Sequence, residues 1–196
     1  MLDSALAAIK ENADYYSQLD AVTGDGDHGT AIVTALNAAI AASKGASDFK
    51  TMFNDMGFGV MLNTSGSTST LMGGFFLGMA DGSDGAELDA SQVKVLFRSG
   101  LEGVVKNTKA KVGDKTMMDA LIPAVDAIVA CNSDDIRDLF QVGASAALAG
   151  AEATVQMKAN FGRARNYGER SIGTADAGAS SWACIFQSFS EKLTIL

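Results

Sequence analysis

Proline occurs once in this 196-residue chain, at Pro123, and histidine once, at His28. A single proline leaves long helices unbroken, and the 21 glycines then mark where they stop. The only two cysteines, Cys131 and Cys184, lie far apart in apolar settings without CxxC spacing. That pattern predicts reduced, buried thiols and excludes a disulfide framework or a zinc site. Cations are few: 15 Lys+Arg stand against 23 Asp+Glu, a net charge of −8 with a pI near 4.5. Such a balance gives no electrostatic footprint for nucleic acid or for an anionic membrane, and neither is expected as a partner. Long apolar runs are missing too. Leu71 to Ala80 is interrupted by glycines and falls short of the roughly 20 residues a bilayer span needs. The amino terminus, Met1-Leu2-Asp3-Ser4, has no basic and apolar leader pattern, so the expected location is the cytoplasm. No β-branched run is bounded by turn residues; Val93 to Phe97 sits inside a longer helix-period pattern. No repeat of solenoid length is present.

What the chain does have is apolar content, 47% of residues, in a length that suits one domain spanning 1–196. Ala, Leu, Met, Val and Phe recur at helical intervals over 3–19, 30–44, 48–63, 69–80, 89–108, 115–131, 134–158 and 179–193. The predicted fold is all-α, an eight-helix up-and-down antiparallel bundle or barrel. Three connections, near 45–48, 81–88 and 131–134, read as plain turns. Four others, 20–29, 63–69, 108–116 and 159–178, are long and rich in Gly, Asp, Ser and Thr. These four join helices 1 to 2, 3 to 4, 5 to 6 and 7 to 8, and in an up-and-down bundle alternate connections fall at the same end. One ligand site at that end is therefore predicted.

The first of them, Asp20-Ala21-Val22-Thr23-Gly24-Asp25-Gly26-Asp27-His28-Gly29, places three short carboxylates in a glycine-laced loop. Carboxylates this close repel unless a cation neutralises them, and oxygen ligation without EF-hand spacing favours Mg²⁺ over Ca²⁺. The alternative is an Asp/Gly turn that caps a helix, with Asp27 near the helix start. His28, beside the three aspartates, lies within reach of whatever the metal holds. Asn63 to Thr70 is a run of small hydrogen-bonding residues ahead of an apolar helix, which makes either an anion cradle or an ordinary cap. Gly113-Asp114-Lys115-Thr116 resembles part of a P-loop but lacks its earlier glycine and preceding strand, and reads as a helix start capped by Asp114. The long segment from Phe161 to Gly178 carries three arginines. Arg163 and Arg170 can clamp phosphate oxygens, or pair with Glu169 and Asp176 to hold the loop.

Gly24-Asp25-Gly26-Asp27-His28-Gly29, Gly113-Asp114-Lys115-Thr116-Met117, Gly162-Arg163-Ala164 and Gly168-Glu169-Arg170-Ser171-Ile172-Gly173, in that order, resemble the nucleotide-binding L subunit (DhaL type) of dihydroxyacetone kinases. The resemblance runs from about residue 10 to the carboxyl terminus. It implies an eight-helix barrel that binds ADP or ATP at one end through two Mg²⁺ ions. By position it implies metal ligation by Asp20, Asp25 and Asp27. Nucleotide contacts fall on His28, Gly29, Thr30, Ala31, Ser67, Thr68, Thr108, Met117, Arg163, Asp176, Ala177 and Gly178, with His28 and Arg163 positioning the phosphoryl group. The family's Gly-Gly-Ala-Ser-Gly-Pro-Leu loop is here Ser65 to Leu71, an asparagine is replaced by Ala31, and His-Gln-Asp-Pro-Gly reads Thr174 to Gly178. The implied activity is transfer of a phosphoryl group to an alcohol of a short ketose held covalently on a separate K subunit. A multiphosphoryl protein of the phosphotransferase system is the alternative donor. Related readings are an erythrulose kinase subunit and a nucleotide-loaded regulator of a transcription factor. A fatty-acid kinase type domain is disfavoured by the chain length, His28 and the intact Gly168 to Gly173 stretch.

Overall fold

The structure, a computed structural model, describes residues 1–83 and 85–195. Among them are nine α-helices and no strand: α1 (Leu2–Glu11), α2 (Ala13–Ala21), α3 (His28–Ala42), α4 (Phe49–Asn63), α5 (Gly66–Asp81), α6 (Ala90–Val105), α7 (Met118–Ala130), α8 (Ile136–Ala153) and α9 (Ala177–Ile195). From α2 onward each helix packs on the next, and α9 returns to α1, closing the bundle into a barrel. The eight expected helices become nine because the first is broken at Asn12. Its side chain donates to the Ala8 carbonyl (2.9 Å), and its own carbonyl accepts from Tyr16 N (3.1 Å). An asparagine that competes with the backbone in this way ends one helix and starts another.

Other boundaries move for similarly local reasons. The expected loop 63–69 shrinks to Thr64 and Ser65, because Gly66 adopts φ +82° and starts α5 directly. Helix α8 stops at Ala153 and tightens into a 3₁₀ turn over Thr154–Gln156, short of the expected 158. The segment read as a loop over 159–178 contains 3₁₀ turns from Arg163 to Ser171, kinked at Gly168. Helix α6 carries a complete capping box, Asp89 with Gln92, so its start at Ala90 has a side-chain cause. Pro123 lies inside α7, within the helix expected over 115–131. Both cysteines are free as expected but half-buried rather than buried.

The core is contiguous and strongly aromatic on one side. Phe75 meets Trp182 edge-on at 5.0 Å, and Phe97 meets Phe140 at 5.4 Å and Phe186 at 5.8 Å. These contacts lock α5, α6, α8 and α9 together. With them fixed, the ends of α2, α4, α6 and α8 and the starts of α3, α5, α7 and α9 share one end of the barrel. No helix among the described residues is long and apolar enough to cross a membrane.

Candidate functional site

A cleft opens at that end, lined by Asp20, Val22 to Gly24 and His28, by Ser67 and Thr68 on the first turn of α5, by Thr108 and Lys115 to Met118, and by Phe161 to Ala164 and Thr174 to Gly178. Leu71, Phe161, Met117, Met118 and Trp182 form its apolar surfaces. This is the mix of apolar walls and few convergent polar groups that small-molecule sites use.

At the lip, Asp20, Asp25 and Asp27 each bring a carboxylate oxygen within 4.8 Å of the others. The loop is folded around Asp20, whose Oδ2 accepts from Gly26 N (2.8 Å) and Asp27 N (3.2 Å). Gly24 is required by this arrangement, since a Cβ there would collide with the Asp20 carboxylate. The donor set is oxygen only. Asp27 is pushed above the usual carboxylate range by partial burial and by the charges of Asp25 and Asp20. Asp25 is held below it by Arg163, whose guanidinium donates to both its oxygens at 2.6 and 2.8 Å. Arg163 thus pairs with neither Glu169 nor Asp176. Glu169 pairs with Lys158 (3.4 Å), and Arg170 lies over the Tyr167 ring at 5.4 Å.

His28 begins α3 at the inner edge of the acidic loop. Its Nε2 is 2.8 Å from Ser181 Oγ, and that hydroxyl donates to the Gly178 carbonyl at 3.0 Å. The hydroxyl has one proton, so when it is given to Gly178 the ring nitrogen must be the donor in their contact. Burial lowers the His28 pKa and favours the neutral ring, against the opposing charge of Asp20. Of the residues assigned by resemblance, Gly29, Thr30 and Ala31 do not line the cleft; they lie on the first turn of α3. Gly29 is buried against α2, where a Cβ would run into the Ala13 carbonyl.

Asp176 caps α9, accepting from Ala179 N at 2.7 Å. Burial raises its pKa to about 7, with Asp119 and Asp20 adding to the shift and Lys115 opposing it. An acid whose folded pKa lies above its unfolded value binds its proton more tightly when folded. Its ionisation therefore lowers stability as pH rises from about 4 to about 7, with no further loss above. Asp176→Asn keeps the cap and removes the titration; chemical denaturation across that window should show a flatter stability profile in the variant.

Asp114 is not the cap expected of it. Its Oδ2 accepts from Lys111 N (2.9 Å), and the turn is organised instead by Asp119, 1% exposed, whose oxygens accept from Gly113 N (2.6 Å) and Thr116 N (2.8 Å). Lys115 and Asp119 carry no assignment from sequence. The Gly168 to Gly173 stretch closes the last connection through buried Ser171, which accepts from Ala159 N (2.8 Å) and donates to the Gly168 carbonyl (2.6 Å). Ser171→Ala leaves Ala159 N without its partner and should cost about 1–3 kcal/mol, measured as a shift in denaturant midpoint.

A family model, the DAK2 domain, matches residues 22–191. The chain belongs to the DAK2 domain family. As a DAK2 domain it is 34% identical to the ADP-binding subunit DhaL of PEP-dependent dihydroxyacetone kinase 1 from Listeria innocua, over 91% of this chain and 86% of that one. It is 30% identical to D-erythrulose kinase from Mycolicibacterium smegmatis, over 98% of this chain and only 34% of that protein. Among solved structures, the dihydroxyacetone kinase from C. freundii in complex with AMP-PNP and Mg²⁺ superposes with a TM-score of 0.76 at 25% identity, covering 97% of this DAK2 domain and 33% of that chain.

Proposed function

We propose that this DAK2 domain, as a single unit over 1–196, is the nucleotide-binding subunit of a short-ketose kinase of the dihydroxyacetone type. It binds ADP or ATP with Mg²⁺ and phosphorylates a ketose carried covalently by a separate K subunit in the cytoplasm. The observation that carries this reading is the convergence of the Asp20, Asp25, Asp27 triad and Arg163 on the mouth of one cleft. The triad fits a hard divalent cation by its donor chemistry: three carboxylates, with no sulfur and with the one imidazole engaged by Ser181. When bound, the cation offsets the charge of the phosphates.

The chain's own residues do the rest. Ser67 and Thr68 line the cleft on the first turn of α5, where their hydroxyls and the first amides of the helix would serve as donors to phosphate. Arg163, whose fork is held by Asp25 at the acidic lip, would turn it to two phosphate oxygens once a cation takes that carboxylate. Met117, Leu71 and Phe161 offer apolar faces to a base, and Thr108, His28 and the Asp176 to Gly178 turn complete the wall. None of these groups selects a sugar, so acceptor identity rests with the partner. This leaves erythrulose as a second reading, favoured by the D-erythrulose kinase of M. smegmatis, which matches nearly the whole chain. A phosphotransferase-system protein that recharges bound ADP is the alternative donor, in keeping with the PTS-dependent dihydroxyacetone kinase named for a DhaL relative of Lactococcus lactis.

Calorimetric titration of the purified chain with ADP, with and without Mg²⁺, tests the reading. Binding that depends on Mg²⁺ supports it, and no binding in either condition removes it.

A further inference from the structure

We infer that Lys115 is a positioning residue of the nucleotide cleft: its ammonium ties the Thr116 to Met118 wall to the Thr174 to Gly178 wall and sets their spacing for the ligand. The inference rests on the proposed nucleotide site. Lys115 is the only buried cation among the described residues, 4% exposed, and the only non-glycine residue with a positive φ, +60°. A lysine in the left-handed region is a strained choice, and such strain persists where the surroundings over-determine it. Here they do. Nζ donates to the Thr154 carbonyl at 2.6 Å and to the Thr174 carbonyl at 2.5 Å, from positions 39 and 59 residues further along the chain.

Both carbonyls belong to the last connection, one at each end, so a single ammonium staples that connection to the third. The strand of chain it holds is the one that carries Asp176, and Asp176 N itself donates to Thr154 Oγ1 at 2.9 Å. The charges that bear on Asp176 are Lys115, Asp119 and Asp20. Lys115 therefore acts on the cleft in two ways. It fixes the backbone of the Thr174 to Gly178 wall, and it supplies the one positive charge that offsets Asp119 and Asp20 at Asp176. A glycine would satisfy the backbone at 115 without strain but could do neither. Asp119 completes the arrangement from below, holding Gly113 N and Thr116 N on either side of the lysine.

The test is ADP affinity at saturating Mg²⁺ between about pH 5.5 and 8.5 for the natural chain, Lys115→Met, Lys115→Gln and Lys115→Arg, with Asp176→Asn identifying the Asp176 limb of the profile. Mn²⁺ binding to the triad without nucleotide, followed by water-proton relaxation, reports that the barrel and its acidic loop are intact. The expected result is a loss of ADP affinity of about tenfold or more in the Met and Gln variants with Mn²⁺ binding unchanged. The pH midpoint of the Asp176 limb should also move to higher pH, and Lys115→Arg, which keeps the charge, should return it towards the natural value. Natural affinity and midpoint in both uncharged variants overturn the inference. So does a loss of ADP and Mn²⁺ binding together, which marks Lys115 as a general stabiliser of the fold. Failure of the natural chain to bind ADP is a different result, and removes the nucleotide site on which the inference rests.

Discussion

Asp25→Ala should abolish magnesium-dependent ADP binding, with a loss of about a hundredfold or more, while the barrel melts close to its natural temperature. The two halves of that expectation come from the same geometry. Asp25 is half exposed, and its side-chain partner is the still more exposed Arg163, so the folded state loses only a surface ion pair, and such pairs contribute little. The site loses much more. Asp25 is one of three carboxylates whose oxygens converge within 4.8 Å, and its removal leaves a two-carboxylate cluster with Arg163 unpaired beside it. Calorimetry with ADP and Mg²⁺, paired with a thermal melt, checks both halves. Unchanged affinity would remove the metal assignment, whatever the melt shows.

Gly29→Ala should damage fold and site together. A Cβ at Gly29 meets the Ala13 carbonyl and lies 2.7 Å from Ser17 Oγ, and backbone cannot rotate out of the way as a side chain can. Helix α3 must lift off α2, an overpacking that costs about 1–3 kcal/mol. The displaced turn carries His28 and adjoins Asp27, so ADP binding should fall with stability. A denaturant midpoint lowered in the variant, with a parallel fall in ADP affinity, is the expected outcome. A variant with natural stability would show that α2 and α3 are free to separate. Resemblance gives Gly29 a ligand contact, and its close packing against α2 is a second demand on the same residue.

Helix content and the convergence of the four polar connections were legible because both depend on local composition. Apolar periodicity marks the helices, and alternation of long and short connections fixes which end they share. What was not legible depends on contacts distant in sequence. Arg163 reaches Asp25 across 138 positions, and no local pattern distinguishes that pairing from one with Glu169. Lys115 carried no assignment from sequence, because burial of its ammonium needs carbonyls supplied by other segments. The break at Asn12 was hidden for the opposite reason. Residues on both sides continue the helical period, and only the competition of one side-chain amide with the backbone interrupts it.

The packing of α9 against α1 has a consequence for how such a barrel can be built into larger machines. The first helical pair runs towards the cleft and α9 runs away from it, so Leu2 and Ile195 lie at the end remote from the ligand mouth. A tether attached at either position leaves the mouth unobstructed, whether it leads to another catalytic module or to none. The same proximity makes the barrel a candidate for circular permutation: a short linker joining residues 195 and 2, with new ends opened in the 43–48 turn, would leave every cleft-lining connection intact.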